Sequence, residues 1–514
     1  MIPQNMLRLL PSALRTRWGL DESEIAFARA ATLARAEREV TNADGPRVLL
    51  QMPADYYVLA LFCVACDQLR PRALEGLWHQ NIMSAPRGET WPVVRRWIRQ
   101  VFNRLDQSKW HSLYAPLGAH RAHTLEVGPI TALRHRRQAH TIWRGLESKS
   151  DLLALELHGT PAGDLIYDTY LRYRVQPTVD LADAFLRTLI AKALNAQSAA
   201  RRMLAQGRFD IFLTSYTSYI QHGIPAREAL RAGVQVYSAG NLSQFFKRLD
   251  VTDTLHTVAH WHYREGFEKL ADPEGARRIA REMLEQRFKG GVDKATLYMK
   301  SSAFGISDDT MPAGVEGVVF LHDFFDSPHC HRSMLFPDFL DWAHHTLGLI
   351  QHHGLALAVK PHPNQLPESR EVVAALQKQY PGVRWLPPSL SNRTIFESGI
   401  RCGVSVYGTI LHELAYHGIA ALAAGDHPHT DFHIATTPTS VEEYSQLLLN
   451  YHELKLAPDV QDEVLAFYYM HNLHDREGLA LNLEGKGLRE IGPSDSSRLA
   501  RFMKRHPAFP RIDD

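Results

Sequence analysis

Three short stretches in the second half of the chain concentrate groups that hold phosphate or move protons. "FLHDFFDSPH" places His322, Asp323, Asp326, Ser327 and His329 close together, and "VKPHPN" offers Lys360, His362 and Asn364 on a backbone stiffened by Pro361 and Pro363. The third, "SVYGTILHELAYHGIAALAAG", runs from Ser405 to Gly425 and contains "HELAYH", which looks like the two-histidine helix of a zinc protease. Two histidines ligate one zinc from a helix when they stand at i and i+4. Here that partner position is Tyr416, and His417 comes one place late. At about 100° per residue, His412 and His417 diverge by roughly 140° around a helix, so no metal is expected. What the stretch does offer is the Gly408-Thr409 turn between an apolar run and a helix. Backbone N–H groups converge there, backed by the positive end of the helix, which makes a seat for a phosphate. Lys360, His362, Gly408 and Thr409 are the groups expected around it.

The elements that must position these groups can be read from their surroundings. "GVSVYG" is a short β-branched run that reads as a buried strand, Thr409 caps a helix, Gly418 stops it, and "IAALAAG" is the next strand. This is one right-handed β-α-β unit. "GVVFLHDF" and "LALAVKPHP" read as strands of the same sheet, so the three stretches are successive strand exits on one rim. The first half alternates in the same way: "RVLLQMP", "ALEGLWH", "FDIFLTS" and "VQVYSAG" as strands, with helices such as the one from about Asp180 to Leu204 between them. The fold class expected is α/β, with two Rossmann-like domains facing a central cleft and helices at the C-terminus. Residues 1–44 are read as an arm, 45–310 as the first domain, 315–460 as the second, and 461–514 as terminal helices and tail. In such sheets a ligand sits at the carboxyl ends of the strands, in the cleft.

The totals narrow the class. A chain of 514 residues with 45% apolar residues is globular and too long for one core. Fifty-seven basic side chains against 56 acidic give +1, without the basic excess of a nucleic-acid binder. Four cysteines make no disulfide framework, and Cys63 and Cys66 lie in an apolar run that reads as a buried helix. No apolar stretch is long enough to span a bilayer. The N-terminus, basic and partly apolar, lacks the pattern of a secretory signal. A cytoplasmic location is expected, with the N-terminus read as a docked terminal segment and a peripheral membrane contact as the competing use of it.

"VKPHPN" followed by "SVYGTILHELAYHGIAALAAG" resembles the HP and Ser/Thr motifs of bacterial glycosyltransferases of the GT-B fold. "FLHDFFDSPHCHRSMLFPDFLDW", "GDLIYDTYLR" and "TSYIQHGIPAREALRAGVQVYSAG" are similar to segments of the capsule polysaccharide biosynthesis group, which includes the β-Kdo transferases. Sialyltransferases and teichoic-acid glycerophosphotransferases are more distant. The likeness runs from about Arg47 to Leu473. It implies that His362 and Thr409 bind the phosphate of a nucleotide-sugar donor, with Glu413 on the ribose or base side. One departure is that relatives often carry Ser-Ser or Ser-Thr where this chain has Gly408-Thr409. The implied activity is transfer of an activated sugar, such as CMP-linked Kdo, to a glycan or lipid-linked acceptor of a capsule. The implied partners are that donor, that acceptor and a capsule-assembly complex, with no cofactor. A glycerophosphotransferase, a sugar-nucleotide epimerase of the same architecture and a nucleotide-sugar-binding scaffold remain open. Glycosyl transfer also needs a base for the acceptor hydroxyl. Asp326, with His322 as neighbour or substitute, is the candidate; Asp55 and Glu228 are rivals, and a turn-capping role for Asp326 competes.

Overall fold

The computed structural model describes residues 18–36, 44–78, 92–238, 247–249, 263–291, 303–305, 309–330, 333–427, 429–474 and 491–505. The strands in chain order are β1 (Arg47–Met52), β2 (Ala73–Trp78), β3 (Arg121–His123), a small hairpin of β4 (Glu156–Leu157) and β5 (Thr160–Pro161), β6 (Ile211–Thr214), β7 (Gln235–Ser238) and β8 (Lys247–Leu249). They continue with β9 (Gly317–Phe320), β10 (Leu357–Lys360), β11 (Arg384–Trp385), β12 (Cys402–Ser405) and β13 (Ala420–Ala423). The first sheet has the order β3-β2-β1-β6-β7-β8, parallel except for β8, and the second the order β11-β10-β9-β12-β13, parallel throughout. In each, the chain builds outward from the middle to one edge and then returns to build toward the other. Each is a Rossmann-like sheet with a topological switch point, between β1 and β6 in the first and between β9 and β12 in the second.

The continuous apolar runs of the strands follow from burial on both faces. Successive side chains alternate sides. Val48 and Leu50 enter the core beneath the helix Tyr56–Leu69, whereas Leu49 joins the opposite core with Phe212 and the helix Ala184–Gly207. In the second sheet Val318 and Phe320 face one core and Val319 and Leu321 the other. Gly403 has a specific packing role in β12. A Cβ there would sit 2.3 Å from Leu414 Cδ1, so any larger residue would force that buried leucine of the helix Thr409–Tyr416 to repack. That closeness fixes where the helix's first turn points.

Two segments pack differently from the sequence reading. The helices Tyr263–Glu268 and Pro273–Phe288, assigned above to the span 45–310, place Tyr263, Phe267, Ala280 and Leu284 in the core of the second sheet. The helix Ser496–Arg505 returns to the first domain, where Leu499 and Ile491 join the core that contains Phe27 of the helix Glu22–Ala36. The terminal helices therefore do not form a unit of their own, because each finds apolar partners on an existing sheet.

A polar cluster ties the domains along one edge. Asp338, fully buried, caps the helix Phe339–His353 through the Asp341 N–H. It also accepts from Tyr167 Oη and Thr178 Oγ1 of the first domain, both at 2.5 Å. Lys149 donates to Asp341 at 2.7 Å. His329 Nδ1 meets Asp168 Oδ1 at 2.6 Å. Burial opposes the charge on His329, but Asp168 and its neighbours overcome it and raise the imidazole above its ordinary value. The loop leaving β9 is thereby fixed against the helix Gly163–Tyr170.

Candidate functional site

The second sheet's switch point brings the expected groups to one rim. The helix Thr409–Tyr416 starts at Gly408, which supplies no side-chain cap; the Leu411 N–H turns back to the Gly408 carbonyl at 3.2 Å, and the earlier N–H groups have no side-chain cap from Gly408. Gly408 has φ 171°, an extended conformation that any residue adopts. A Cβ there would lie 3.4 Å from His322 Cε1, an ordinary contact, so the turn packs directly on that ring without demanding glycine.

His322, half-buried at the exit of β9, braces this turn. Its Nε2 accepts from the Tyr407 N–H at 3.3 Å and lies 3.1 Å from Ser405 Oγ, whose hydrogen is also within reach of the Phe320 carbonyl at 3.0 Å. Burial, and then the nearby His362, push its pKa down to about 3. A ring so weakly basic, with its acceptor nitrogen already engaged, is poorly matched to proton abstraction near neutral pH. In this geometry His322 is a neutral strut between β9 and the turn, which weighs against the role of substitute base expected of it.

His362 follows β10. Its Nδ1 accepts the Asn364 N–H at 3.2 Å, which leaves the proton on Nε2. Burial lowers its pKa, opposed by Asp323 and aided by Lys360. It is a neutral donor at physiological pH. Lys360 is only 2% exposed, and its Nζ donates to Asn392 Oδ1 at 2.6 Å. Burial draws its pKa down to about 8, partly offset by Glu413. Lys360 therefore supplies charge from beneath the rim rather than as a solvated side chain.

Glu413 also differs from expectation. It is 1% exposed, and its Oε1 accepts from Arg287 Nε at 3.0 Å and Nη2 at 2.5 Å. Arg287 Nη2 also lies 3.4 Å from Thr409 Oγ1. The observed work of Glu413 is thus to hold a guanidinium against the helix start, where the resemblance implied a place on the ribose or base side. Arg287 was missed because it lies in a polar helix, 126 residues from Glu413. Only a buried carboxylate in need of a cation, which "LHE" on an apolar helix face implies, could have pointed to it.

Asp326 lies farther along the loop that leaves β9. Its side chain reaches solvent, yet protein surrounds it closely enough that desolvation is the largest influence on its carboxyl. Its pKa is raised, with Asp323 adding to the effect and the Ser327 N–H and Arg172 opposing it. The Ser327 N–H donates to Oδ1 at 3.0 Å, so the turn-capping role is real and coexists with the facing cation. Arg172 comes from the first domain, where it is also within electrostatic reach of Tyr216, Tyr219 and Tyr173. Tyr219 has φ 65° and ψ 158°, a strained conformation for a non-glycine residue, and starts the helix Ile220–Arg231. Its ring stacks on Tyr216 at 5.8 Å. Arg172 and Tyr219 fall within "GDLIYDTYLR" and "TSYIQHG", with Tyr173 and Tyr216 just beside them, but nothing in those strings assigned them to the cleft.

Tyr407 couples the two parts of the site. Its N–H holds His322, and its hydroxyl donates to the Ser327 carbonyl at 2.8 Å, next to Asp326. The other acids have structural jobs. Asp323 accepts from the Leu366 N–H, the Phe325 N–H and Ser369 Oγ. Asp55 caps the helix Tyr56–Leu69 by accepting from Val58 N–H. Glu228 is buried against Arg201, Gln197 and Thr160. His412 is buried among aromatic rings and His417 is exposed beyond its helix. Among the described residues no cluster of His, Cys, Asp or Glu is placed to hold a metal ion. Nor is any helix among them long and apolar enough to cross a membrane.

No protein-family model and no curated protein matches the sequence. Solved structures similar in fold include an S. aureus MnaA–UDP co-structure, at 9% identity with a TM-score of 0.24, covering 90% of this chain and 96% of that one. A UDP-GlcNAc 2-epimerase from Neisseria meningitidis bound to UDP-GlcNAc aligns at 10% identity with a TM-score of 0.20, covering 89% and 99%. A putative UDP-N-acetylglucosamine 2-epimerase from Listeria monocytogenes aligns at 8% identity with a TM-score of 0.23, covering 90% and 96%. At that level of likeness, nothing about substrate passes from those proteins to this chain.

Proposed function

We propose that the chain is an enzyme acting on a nucleotide-activated sugar, with the donor's phosphates at the start of the helix Thr409–Tyr416 and acid–base chemistry at Asp326. The observation that carries this reading is the convergence at the second switch point. An uncapped helix start, the Nε2–H of His362, Thr409 Oγ1 and the Arg287 guanidinium share one rim, with Lys360 behind them. Charge-assisted bonds of this kind suit a phosphate. Burial raises the pKa of Asp326, and Arg172 of the first domain lies within electrostatic reach of it, so this carboxyl is the group we assign to proton exchange.

Within this class, conversion of the sugar nucleotide itself, as in epimerisation, asks less of the site than transfer does, because it needs no acceptor seat. Transfer to a capsule glycan, the finer expectation from sequence, keeps the same donor seat and adds an acceptor. Incubation with UDP-, CMP- and GDP-sugars in deuterated water, followed by NMR, separates them. Solvent deuterium entering the sugar with donor alone supports epimerisation. Turnover that requires an added acceptor supports transfer. Failure of every nucleotide to bind would remove both.

A further inference from the structure

Independently of that reading, we propose that the helices Val93–Tyr114 and Pro129–Arg144 form a docking face for an anionic lipid bilayer. Of six large apolar side chains exposed among the described residues, five lie on these two helices: Val94 at 68%, Ile98 at 44%, Val101 at 38%, Ile130 at 71% and Leu133 at 50%. At about 100° per residue, Val94, Ile98 and Val101 fall within roughly 60° of one another. Arg95 and Arg99 flank that stripe on one side and Arg104 on the other. On the second helix Ile130 and Leu133 share a face with Arg134 and Arg137.

The charge on these helices is as uneven as their exposure. Val93–Tyr114 carries five basic residues against one acid, and Pro129–Arg144 four against none, a net +8 in a chain whose total is +1. Their other surfaces are accounted for. Leu113 and Tyr114 are fully buried at the end of the first helix, Ala139 is buried, and the second helix packs on Ala184–Gly207. Arg104 pairs with Glu126 at 2.9 Å, three residues ahead of the second helix, and Arg202 of the helix Ala184–Gly207 donates to the Glu126 carbonyl at 3.1 Å, which holds the first helix to the segment that leads into the second. For Arg95, Arg99, Arg134 and Arg137, no carboxylate among the described residues lies within ion-pair distance. Exposed aliphatic side chains bracketed by unneutralised arginines are what an interface with anionic headgroups uses, the former entering the acyl boundary and the latter meeting phosphate. A nucleic acid would use the arginines but leave the aliphatic stripe in water.

The test is sedimentation of the full chain with vesicles of phosphatidylcholine alone and with one third phosphatidylglycerol. Binding should require the anionic lipid and weaken with salt. Arg134→Gln with Arg137→Gln should lower partition about thirtyfold, and Ile130→Glu with Leu133→Glu about tenfold or more. Arg370→Gln with Lys378→Gln, on an exposed helix of the other domain, should leave it unchanged. All four altered side chains of the patch are at the surface, so folding, checked by circular dichroism, should be retained. Equal partition onto neutral vesicles, or indifference to both patch variants, would overturn the proposal. So would a dimer in light scattering that Ile130→Glu with Leu133→Glu dissolves, or duplex DNA displacing the lipid, since each names a different occupant.

Discussion

Replacing Arg287 by methionine tests how the phosphate rim is held. Arg287 and Glu413 are 6% and 1% exposed, and the substitution keeps much of the volume while removing both hydrogen bonds to Glu413 Oε1. Glu413 would then be a buried carboxylate without its cation, and breaking such a pair costs about 3–5 kcal/mol. For a domain of this size, that cost lowers the melting temperature by roughly 6–20 °C. Adding Glu413→Gln removes the stranded charge and should recover a large part of the loss, so the double mutant should be more stable than Arg287→Met alone. Urea denaturation of the four proteins of the cycle gives the coupling directly. Nucleotide affinity should fall in both Arg287 variants, including the restabilised double mutant, because Arg287 also reaches Thr409. A stability loss under about 1 kcal/mol, the scale of a surface ion pair, or full nucleotide affinity in the double mutant, would refute the reasoning.

Two further outcomes are expected. Asp326→Asn keeps the shape and the bond from the Ser327 N–H while removing the titrating group, so turnover should fall by about two orders of magnitude or more with nucleotide affinity intact; retained turnover would move the acid–base role elsewhere. Lys360 has its pKa drawn to about 8, so between that value and its ordinary 10.5 the unfolded chain keeps a proton that the folded chain has lost. Stability relative to Lys360→Met should therefore rise with pH across that window, by up to about 1.4 kcal/mol per unit, and denaturation series at successive pH values measure it. A difference that is flat or falling across the window would contradict the assignment.

The scaffold of the site was legible because local chemistry dictates it. Gly408-Thr409 and Gly418 bracket a helix in any context, and "GVVF", "LAVK" and "CGVS" are apolar runs that only strands buried on both faces satisfy. Parallel strands of one sheet place their exits on one rim. The direction of each side chain was less accessible. His322 was read as a proton acceptor because histidine on a strand-exit loop often is one, whereas the Tyr407 N–H engages its nitrogen and burial removes its basicity. Glu413 was assigned by resemblance, and its actual partner comes from a helix that sequence placed with the other domain. Arg172 and Tyr219 reach Asp326 only because the two sheets face each other, and the positive φ of Tyr219 has no signature in its side chain.

The central claim is that the rim at Gly408-Thr409 binds the phosphates of a nucleotide. Calorimetric titration with the tightest binder among UDP, CDP, CMP and GDP, set against its phosphate-free nucleoside, tests that claim most directly. The account predicts that the phosphorylated form dominates and that His362→Ala and Thr409→Ala each weaken it by about tenfold or more, the worth of a charge-assisted bond of roughly 1.5–3 kcal/mol, while nucleoside binding is unchanged. Equal affinity for nucleotide and nucleoside, or wild-type affinity in both variants, would contradict it.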